Sequence, residues 1–293
     1  VFRLTEGFHG SKDTFSIAGV MFATLNTFGN LTPVFGTNIC SDKCRLPYCC
    51  ALLQVASIDC LALPECTLSK SAAAAVKRYV TTHVKGATSV SAPVSAVAAT
   101  VTESFTDIID SDPYTHTKKG GVTVLLGPRL APFLLTPPRP FAAGRGLLLE
   151  LTLPDSEPFY ILALYGVSSA DSTPDKLSWA ADLAHELRVI FIKLEGKRVV
   201  TLGDLNSVWR TIDRLRKELL SYDKIESSIV KVLLAFKFFD APAATFGDTL
   251  CASYFKEHSP NSRVDSIWFS PSLKALFPII PCASLKKPGP FSA

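Results

Sequence analysis

Arg198-Val199-Val200-Thr201-Leu202-Gly203-Asp204-Leu205-Asn206 is an apolar, β-branched run that stops on an acid and an amide. Valine, threonine and leucine at that density read as a buried strand over Arg198 to Leu202, and Gly, Asp and Asn are the residues that turn a chain at a strand end. The same layout recurs on both sides of it. Val20 to Leu25 leads into Asn26, Ile58 to Leu63 leads into Glu65, Phe159 to Leu164 ends on Tyr165, and Asp265 opens the run Ser266 to Phe269. Gly121 to Leu126 and Leu147 to Leu153 are expected as further strands. Between these lie helical patterns at Asp42 to Ser57, Leu68 to Val84, Pro174 to Leu194, Val208 to Ser221 and Lys224 to Phe238. The third is the best marked, with Ser172-Thr173 as a cap, Pro174 in the first turn and Gly196 beyond its end. Strands alternating with helices imply an α/β layered domain. Polar residues at the strand ends then converge on one face, where open α/β sheets hold ligands.

Composition narrows the class. The chain of 293 residues is 47% apolar with a formal net charge of +4, enough to bury a substantial core and too weakly basic to argue for nucleic acid by charge alone. The basic residues are scattered apart from Arg210 to Lys217 and Lys286-Lys287. Of these, Arg210, Arg214, Arg216 and Lys217 read as a solvated helix face or a contact for a nucleic-acid backbone. The uncharged stretch Gly86 to Thr102 is rich in Ala, Ser, Thr and Val and contains a proline, and no membrane span is expected. It reads as a strand pair or a surface insertion. No internal repeat or composition break divides the chain, so residues 1–293 are expected to form a single domain. The start, Val-Phe-Arg-Leu-Thr-Glu, has neither an initiator Met nor a signal-peptide pattern; a fragment of a longer, non-secreted reading frame, nuclear or cytoplasmic, is expected. Among the eight cysteines, Cys40, Cys44, Cys49 and Cys50 lack the paired spacing of a zinc site. Leu46, Cys49, Cys50 and Leu53 fall at helical intervals and are expected on one core-facing side. His9, His83, His116 and His185 fit no ligand pattern and read as surface or helix-face residues, and Trp179 and Phe191 as core.

Singly, Asn26, Glu65, Tyr165, Asp204, Asn206 and Asp265 are ordinary turn, cap and sheet residues. Jointly they form a set that could bind a hard divalent cation. Such an ion takes oxygen ligands, one or two carboxylates with waters and substrate phosphate, and Glu65 with Asn26 or Asp204 could supply them. Phosphodiester hydrolysis also needs a positioned water and stabilised phosphate oxygens.

The wording around these residues resembles a known family. Thr24-Leu25-Asn26-Thr27-Phe28-Gly29 is similar to the T-L-N-x-x-G opening of the endonuclease/exonuclease/phosphatase superfamily, which includes deoxyribonuclease I and the apurinic/apyrimidinic endonucleases. Ile58 to Glu65 resembles its D-I-L-x-L-Q-E strand, with Pro64 in place of Gln. Lys119 to Leu126 resembles G-G-V-A-I-L, and Gly203-Asp204-Leu205-Asn206 resembles G-D-F-N. Ser262-Arg263-Val264-Asp265-Ser266-Ile267-Trp268-Phe269-Ser270-Pro271-Ser272-Leu273 is close to S-R-I-D-Y-I-x-x-S-P-S-L, a form found in non-LTR retrotransposon endonucleases. These motifs stand in order from Thr24 to Leu273 and cover almost the whole chain.

The resemblance implies an α/β fold built as a four-layer α/β/β/α sandwich and an Mg²⁺-dependent phosphodiesterase that nicks DNA, with Mn²⁺ as the alternative ion. It implies that Glu65 holds the metal with Asn26 beside it or its water shell. Asp204 would orient or deprotonate the attacking water, Asn206 would position Asp204 and a phosphate oxygen, and Tyr165 would hydrogen-bond the phosphate. In the family a Pro-Asn follows that tyrosine; here Val167-Ser168 follows Tyr165-Gly166. Asp265 would pair with the histidine of a C-terminal Ser-Asp-His motif, and the last histidine here is His258. The expectation is therefore a domain incomplete at its C-terminus, without its last strand, and a rate lowered on the order of 10² to 10⁴ for want of that histidine. DNA is the implied partner, and a reverse-transcriptase region in the same polyprotein is the implied neighbour. Two readings stay open beside this one: a catalytically inactive remnant of the fold that at most binds nucleic acid, and a phosphatase of inositol lipids or sphingomyelin on the same core.

Overall fold

Side chains of a strand alternate between two faces, and here both faces are covered. Val200 and Leu202 pack with Leu147, Leu149, Ile161, Ala163, Ile267 and Phe269, while Val199 turns the other way with Leu148, Leu162, Leu164 and Trp268. The computed structural model describes residues 2–3, 20–26, 45–66, 68–92, 121–152, 157–167, 174–224, 227–247, 254–256 and 259–276.

The strands are β1 (Phe2–Arg3), β2 (Met21–Thr24), β3 (Cys60–Pro64), β4 (Thr88–Ser91), β5 (Val122–Leu126), β6 (Arg139–Phe141), β7 (Gly146–Leu151), β8 (Phe159–Tyr165), β9 (Arg198–Asp204), β10 (Phe239–Asp240), β11 (Tyr254–Lys256), β12 (Ser259–Ser262) and β13 (Asp265–Phe269). One sheet runs β1-β2-β3-β5-β4 and the other β10-β13-β9-β8-β7-β6, with β11 and β12 paired separately. Pairing is parallel in β2·β3 and β8·β9 and antiparallel at the other junctions.

The two sheets face each other across an apolar interior. Phe22 lies at its centre, fully buried, with the Phe159 and Phe269 rings 5.9 and 6.4 Å away; emptying such a position costs about 3–5 kcal/mol. The outer face of the first sheet (Ala23, Leu61, Leu63, Leu125) is covered by α1 (Leu46–Gln54) and α2 (Lys70–His83) through Leu46, Cys49, Leu53, Val76 and Val80. The outer face of the second is covered by α3 (Pro174–Lys193) and α5 (Ile229–Ala235), which follows the short α4 (Ser221–Lys224). The result is the α/β/β/α sandwich. Two further short helices, α6 (Ala241–Phe246) and α7 (Pro271–Leu276), pack against β13 and β9.

All seven expected strands are present within two residues of their expected limits. The helices over 42–57, 68–84 and 174–194 are present in shorter form, with 42–44 and the cap at Ser172-Thr173 outside the described residues. Cys49, Cys50, Cys60 and Cys66 are buried in the core, while Cys40 and Cys44 lie outside the described residues. Thr88–Ser91 is a strand, and 93–102 lies outside them too.

The helix expected over Val208 to Ser221 is corrected. That stretch holds a single 3₁₀ turn, Thr211–Asp213, and is otherwise irregular. Its backbone N–H groups close short turns instead, Asp213 to the Arg210 carbonyl at 3.1 Å, Arg214 to Thr211 at 3.1 Å and Lys217 to Arg214 at 3.0 Å, and Asp223 from beyond the segment accepts the Leu220 N–H at 2.9 Å and the Val208 N–H at 2.9 Å. Arg214 is buried against Asp223 and Arg210 pairs with Asp213, so neither lies on a solvated helix face; Arg216 and Lys217 are exposed. The helix expected over 224–238 shrinks to Ile229–Ala235. Among the described residues no helix is long and apolar enough to cross a membrane.

Candidate active site

Register brings three of the expected residues side by side. Tyr165 is the parallel partner of Asp204 across β8·β9, and Asp265 is its antiparallel partner across β13·β9. The alternation that sends Val200, Leu202, Ala163, Ile267 and Phe269 between the sheets sends Asp204, Tyr165 and Asp265 the same way, at the rim of that interior. Asn26, two residues beyond Thr24, reaches the rim from the first sheet by the same rule.

Glu65 breaks it. Strict alternation would carry its side chain to the helix side with Leu61 and Leu63. Its φ of 59° ends the strand in the left-handed region, a conformation that costs a non-glycine residue on the order of 1 kcal/mol. The carboxylate instead meets the Asn26 carboxamide and the Tyr165 hydroxyl.

Asn26 joins the two sheets. Its Nδ2 donates to Glu65 Oε2 at 3.0 Å and to Asp204 Oδ2 at 3.1 Å. The other oxygen of Asp204 accepts the Asn206 N–H at 2.9 Å. Asn206 has φ 50° and donates its own Nδ2 to the Gly166 carbonyl at 3.0 Å. Gly203 makes this strand end possible: at φ 145° a Cβ there would lie 2.0 Å from the Leu164 carbonyl oxygen.

The electrostatics are those of acids held close together. Asp204 is 5% exposed, and burial pushes its carboxyl up to about 6, against the lowering effect of its bonds from Asn206 and Asn26 and with the Glu65 charge adding to the rise. Tyr165 is held well above the ordinary phenol range, first by burial and then by the Glu65 and Asp204 charges, while the Arg145 guanidinium opposes the rise.

The arrangement suits a hard divalent cation. Two carboxylate oxygens lie within 3.1 Å of one amide group, every donor is oxygen or amide, and burial without a cation is already costly for Asp204. Among the described residues no three His, Cys, Asp or Glu side chains form a cage. Mg²⁺ keeps several waters and takes one or two carboxylates. Glu65 would hold it, with Asn26 beside it.

Comparison with solved structures identifies the architecture. The chain is similar to the 3'-5' exonuclease NExo of Neisseria meningitidis (TM-score 0.55, 18% identity, 87% of this chain and 88% of that one). It is also similar to the AP endonuclease LMAP of Leishmania major (TM-score 0.60, 15% identity, 87% of this chain and 79% of that one) and to an AP endonuclease of Archaeoglobus fulgidus (TM-score 0.50, 16% identity, 79% of this chain and 83% of that one). This is the endonuclease/exonuclease/phosphatase fold. No family profile and no curated protein sequence matches the chain.

Within this fold the structure gathers Asn26, Glu65, Tyr165, Asp204, Asn206 and Asp265, the whole set expected from sequence. His9, His116 and His258 lie outside the described residues, and His83 and His185 are exposed on helices. Phe191 is buried as expected. Trp179 is not: it is 40% exposed, with the Arg145 guanidinium 5.5 Å from its ring. Arg145, which no sequence motif marks, also reaches this site through the Gly166 carbonyl. The one local signal for Arg145 is the Ala142-Ala143-Gly144 run of small residues before it.

Proposed function

We propose that this chain is a divalent-metal-dependent phosphodiesterase that nicks DNA. The observation that carries this reading is the Asn26 carboxamide bridging Glu65 from one sheet and Asp204 from the other, with Tyr165 and Asp265 in register beside Asp204. The names of its structural neighbours, 3'-5' exonuclease, AP endonuclease and a 3' phosphatase bound to a product DNA hairpin, support it.

Each residue has a role its geometry suits. Asp204, its Oδ1 held by the Asn206 N–H and its Oδ2 by the Asn26 carboxamide, orients a water and takes its proton. Asn206 holds Asp204 by its N–H and keeps its carboxamide at the same strand end. Tyr165 stays a neutral phenol, and its hydroxyl, given to Glu65 in the metal-free site, would turn to a phosphate oxygen once a cation takes the Glu65 carboxylate. Asp265 adds a third acid beside Asp204, in the place where the resemblance puts the partner of a histidine. A divalent ion held by Glu65, with Asn26 beside it, would neutralise charge developing on the phosphate. The likeness of Ser262 to Leu273 to retrotransposon endonucleases supports target-site cleavage as the biological setting, with a reverse-transcriptase region in the same polyprotein and an intracellular site of action.

The test is nicking of supercoiled plasmid in Mg²⁺ against EDTA, with the Asp204→Ala variant alongside and phosphate release from a soluble inositol phosphate as the counter-assay. Nicking that needs both Mg²⁺ and Asp204 is the expected result. Phosphate release without nicking would replace it with a phosphatase, and neither activity would leave an inactive remnant of the fold.

A further inference from the structure

Arg145 belongs to none of the motifs read from the sequence, yet the site's geometry runs through it. The three residues before it, Ala142, Ala143 and Gly144, have φ of 47°, 55° and 84°. Two alanines in the left-handed region are strained, and strain that the surroundings enforce points to a residue that must be placed. The turn is tied to α3 by the Ala142 N–H donating to Glu186 Oε2 at 3.1 Å. What it delivers is a buried guanidinium, 5.2 Å from the Tyr165 ring centroid and 5.5 Å from that of Trp179.

Main chain and side chain of Arg145 act on the same strand end. Its carbonyl accepts the Tyr165 N–H at 2.8 Å, and its Nη1 donates to the Gly166 carbonyl at 3.3 Å. That carbonyl is the one that also anchors the Asn206 carboxamide. The Gly166 N–H in turn donates to the Asp204 carbonyl at 2.7 Å. No other residue fits there, because a Cβ on Gly166 would lie 2.0 Å from the Leu205 carbonyl oxygen. The Gly166 peptide is thus a shared anchor, gripped by Arg145 from one side and by Asn206 and Asp204 from the other.

We propose that Arg145 is a positioning residue of this site, holding the Tyr165 ring by its face and the Asn206 carboxamide through the Gly166 carbonyl. A lysine cannot replace it, since only the planar guanidinium stacks on a ring and donates sideways at once. The activity arm of the test rests on the phosphodiesterase reading; the spectroscopic arm does not.

The test compares Arg145→Gln, Arg145→Lys, Asn206→Ala and the Arg145→Gln/Asn206→Ala double variant in the full chain. Solvent exchange of the Asn206 side-chain amide, assigned by its loss in Asn206→Ala, is read by NMR in EDTA. Arg145→Gln and Arg145→Lys are both expected to speed that exchange by roughly tenfold. In plasmid nicking, each is expected to lower kcat by about 10- to 100-fold with KM within about twofold, the size of a misplacement effect. The double variant should fall short of the product of the single losses by at least about fivefold, because the two residues act through one carbonyl. Unchanged amide exchange, or losses that simply multiply, would overturn the proposal. Should Arg145→Gln fail to fold, Glu186→Ala frees the turn from α3 with Arg145 intact; it should speed the exchange about two- to threefold, and no change there would equally overturn it. Should every form lack nicking, the phosphodiesterase reading fails while the amide exchange still decides the role of Arg145.

Discussion

Two clusters of buried acids meet along Ser262 to Ser266, and they are answered by different chemistry. In the first, Asp204 and Glu65 receive hydrogen bonds from the Asn26 carboxamide, the Asn206 N–H and the Tyr165 hydroxyl. In the second, Asp213 and Asp240 are clamped by Arg263, whose Nη2 donates to Asp213 Oδ2 at 2.9 Å and to Asp240 Oδ2 at 2.7 Å. Arg210 adds a second guanidinium to Asp213, and the Trp209 indole N–H donates to Asp240 at 2.7 Å. Burial alone would raise the Asp213 carboxyl, but its guanidinium partners hold it below the ordinary range, while Asp204 is raised. Carboxylates matched by fixed cations fasten the loops together. Carboxylates matched by amides keep unneutralised charge, which a metal ion or a phosphate-bound water can use.

The comparison predicts opposite symptoms from the two clusters. Asp204→Ala should reduce plasmid nicking on the order of 10³-fold, as removal of a base does, with an urea midpoint no lower than that of the parent. Arg263→Leu should do the reverse. It leaves Asp213 and Asp240 buried without their shared cation, a loss of about 3–5 kcal/mol, so the melting temperature should fall by roughly 10 °C. Nicking per folded molecule should change far less than in Asp204→Ala. An Arg263→Leu protein that melts normally but does not nick would merge the clusters into one functional unit and end the distinction.

The two clusters were also unequally legible in the sequence. Asp204, Glu65, Asn26, Tyr165 and Asp265 each stand at the end of an apolar run, and strand periodicity with the family wording carried them to one rim. Glu65 is where periodicity alone would have misled, since only its positive φ turns the carboxylate inward. The ion-pair cluster left no such trace. Its members come from an irregular stretch with one 3₁₀ turn (Trp209, Arg210, Asp213), the two-residue β10 (Asp240) and the link between β12 and β13 (Arg263), and the basic spacing of Arg210, Arg214 and Lys217 mimics a helix face. Short turns close that stretch instead, and Asp223 from outside the segment ties its two ends through the Val208 and Leu220 N–H groups. Arg145 was hidden for a related reason: its role comes from a left-handed turn and a contact across β7·β8, neither of which has a period.

The finest discrimination between the clusters is the pH dependence of stability in EDTA. For Asp213 the folded-state pKa is depressed from 3.8, so its contribution is present above about pH 4 and is lost as pH falls through the lowered value. For Asp204 the sign is opposite. Its folded pKa is raised from 3.8 to about 6, so the folded protein binds the proton more tightly, and stability declines as pH rises from about 4 to 6 before levelling off. That decline is on the order of 3 kcal/mol at the 1.36 kcal/mol per pH unit of linkage. The unfolding free energy of the parent minus that of Asp204→Asn, measured by urea titration at successive pH values, isolates this slope from the other titrating groups. Adding Mg²⁺ should flatten it, because a cation beside Asp204 offsets the cost of its ionised form. A flat difference in EDTA would mean that Asp204 ionises as freely as a surface acid, and the contrast with the Arg263 cluster would then be one of partners rather than of stored charge.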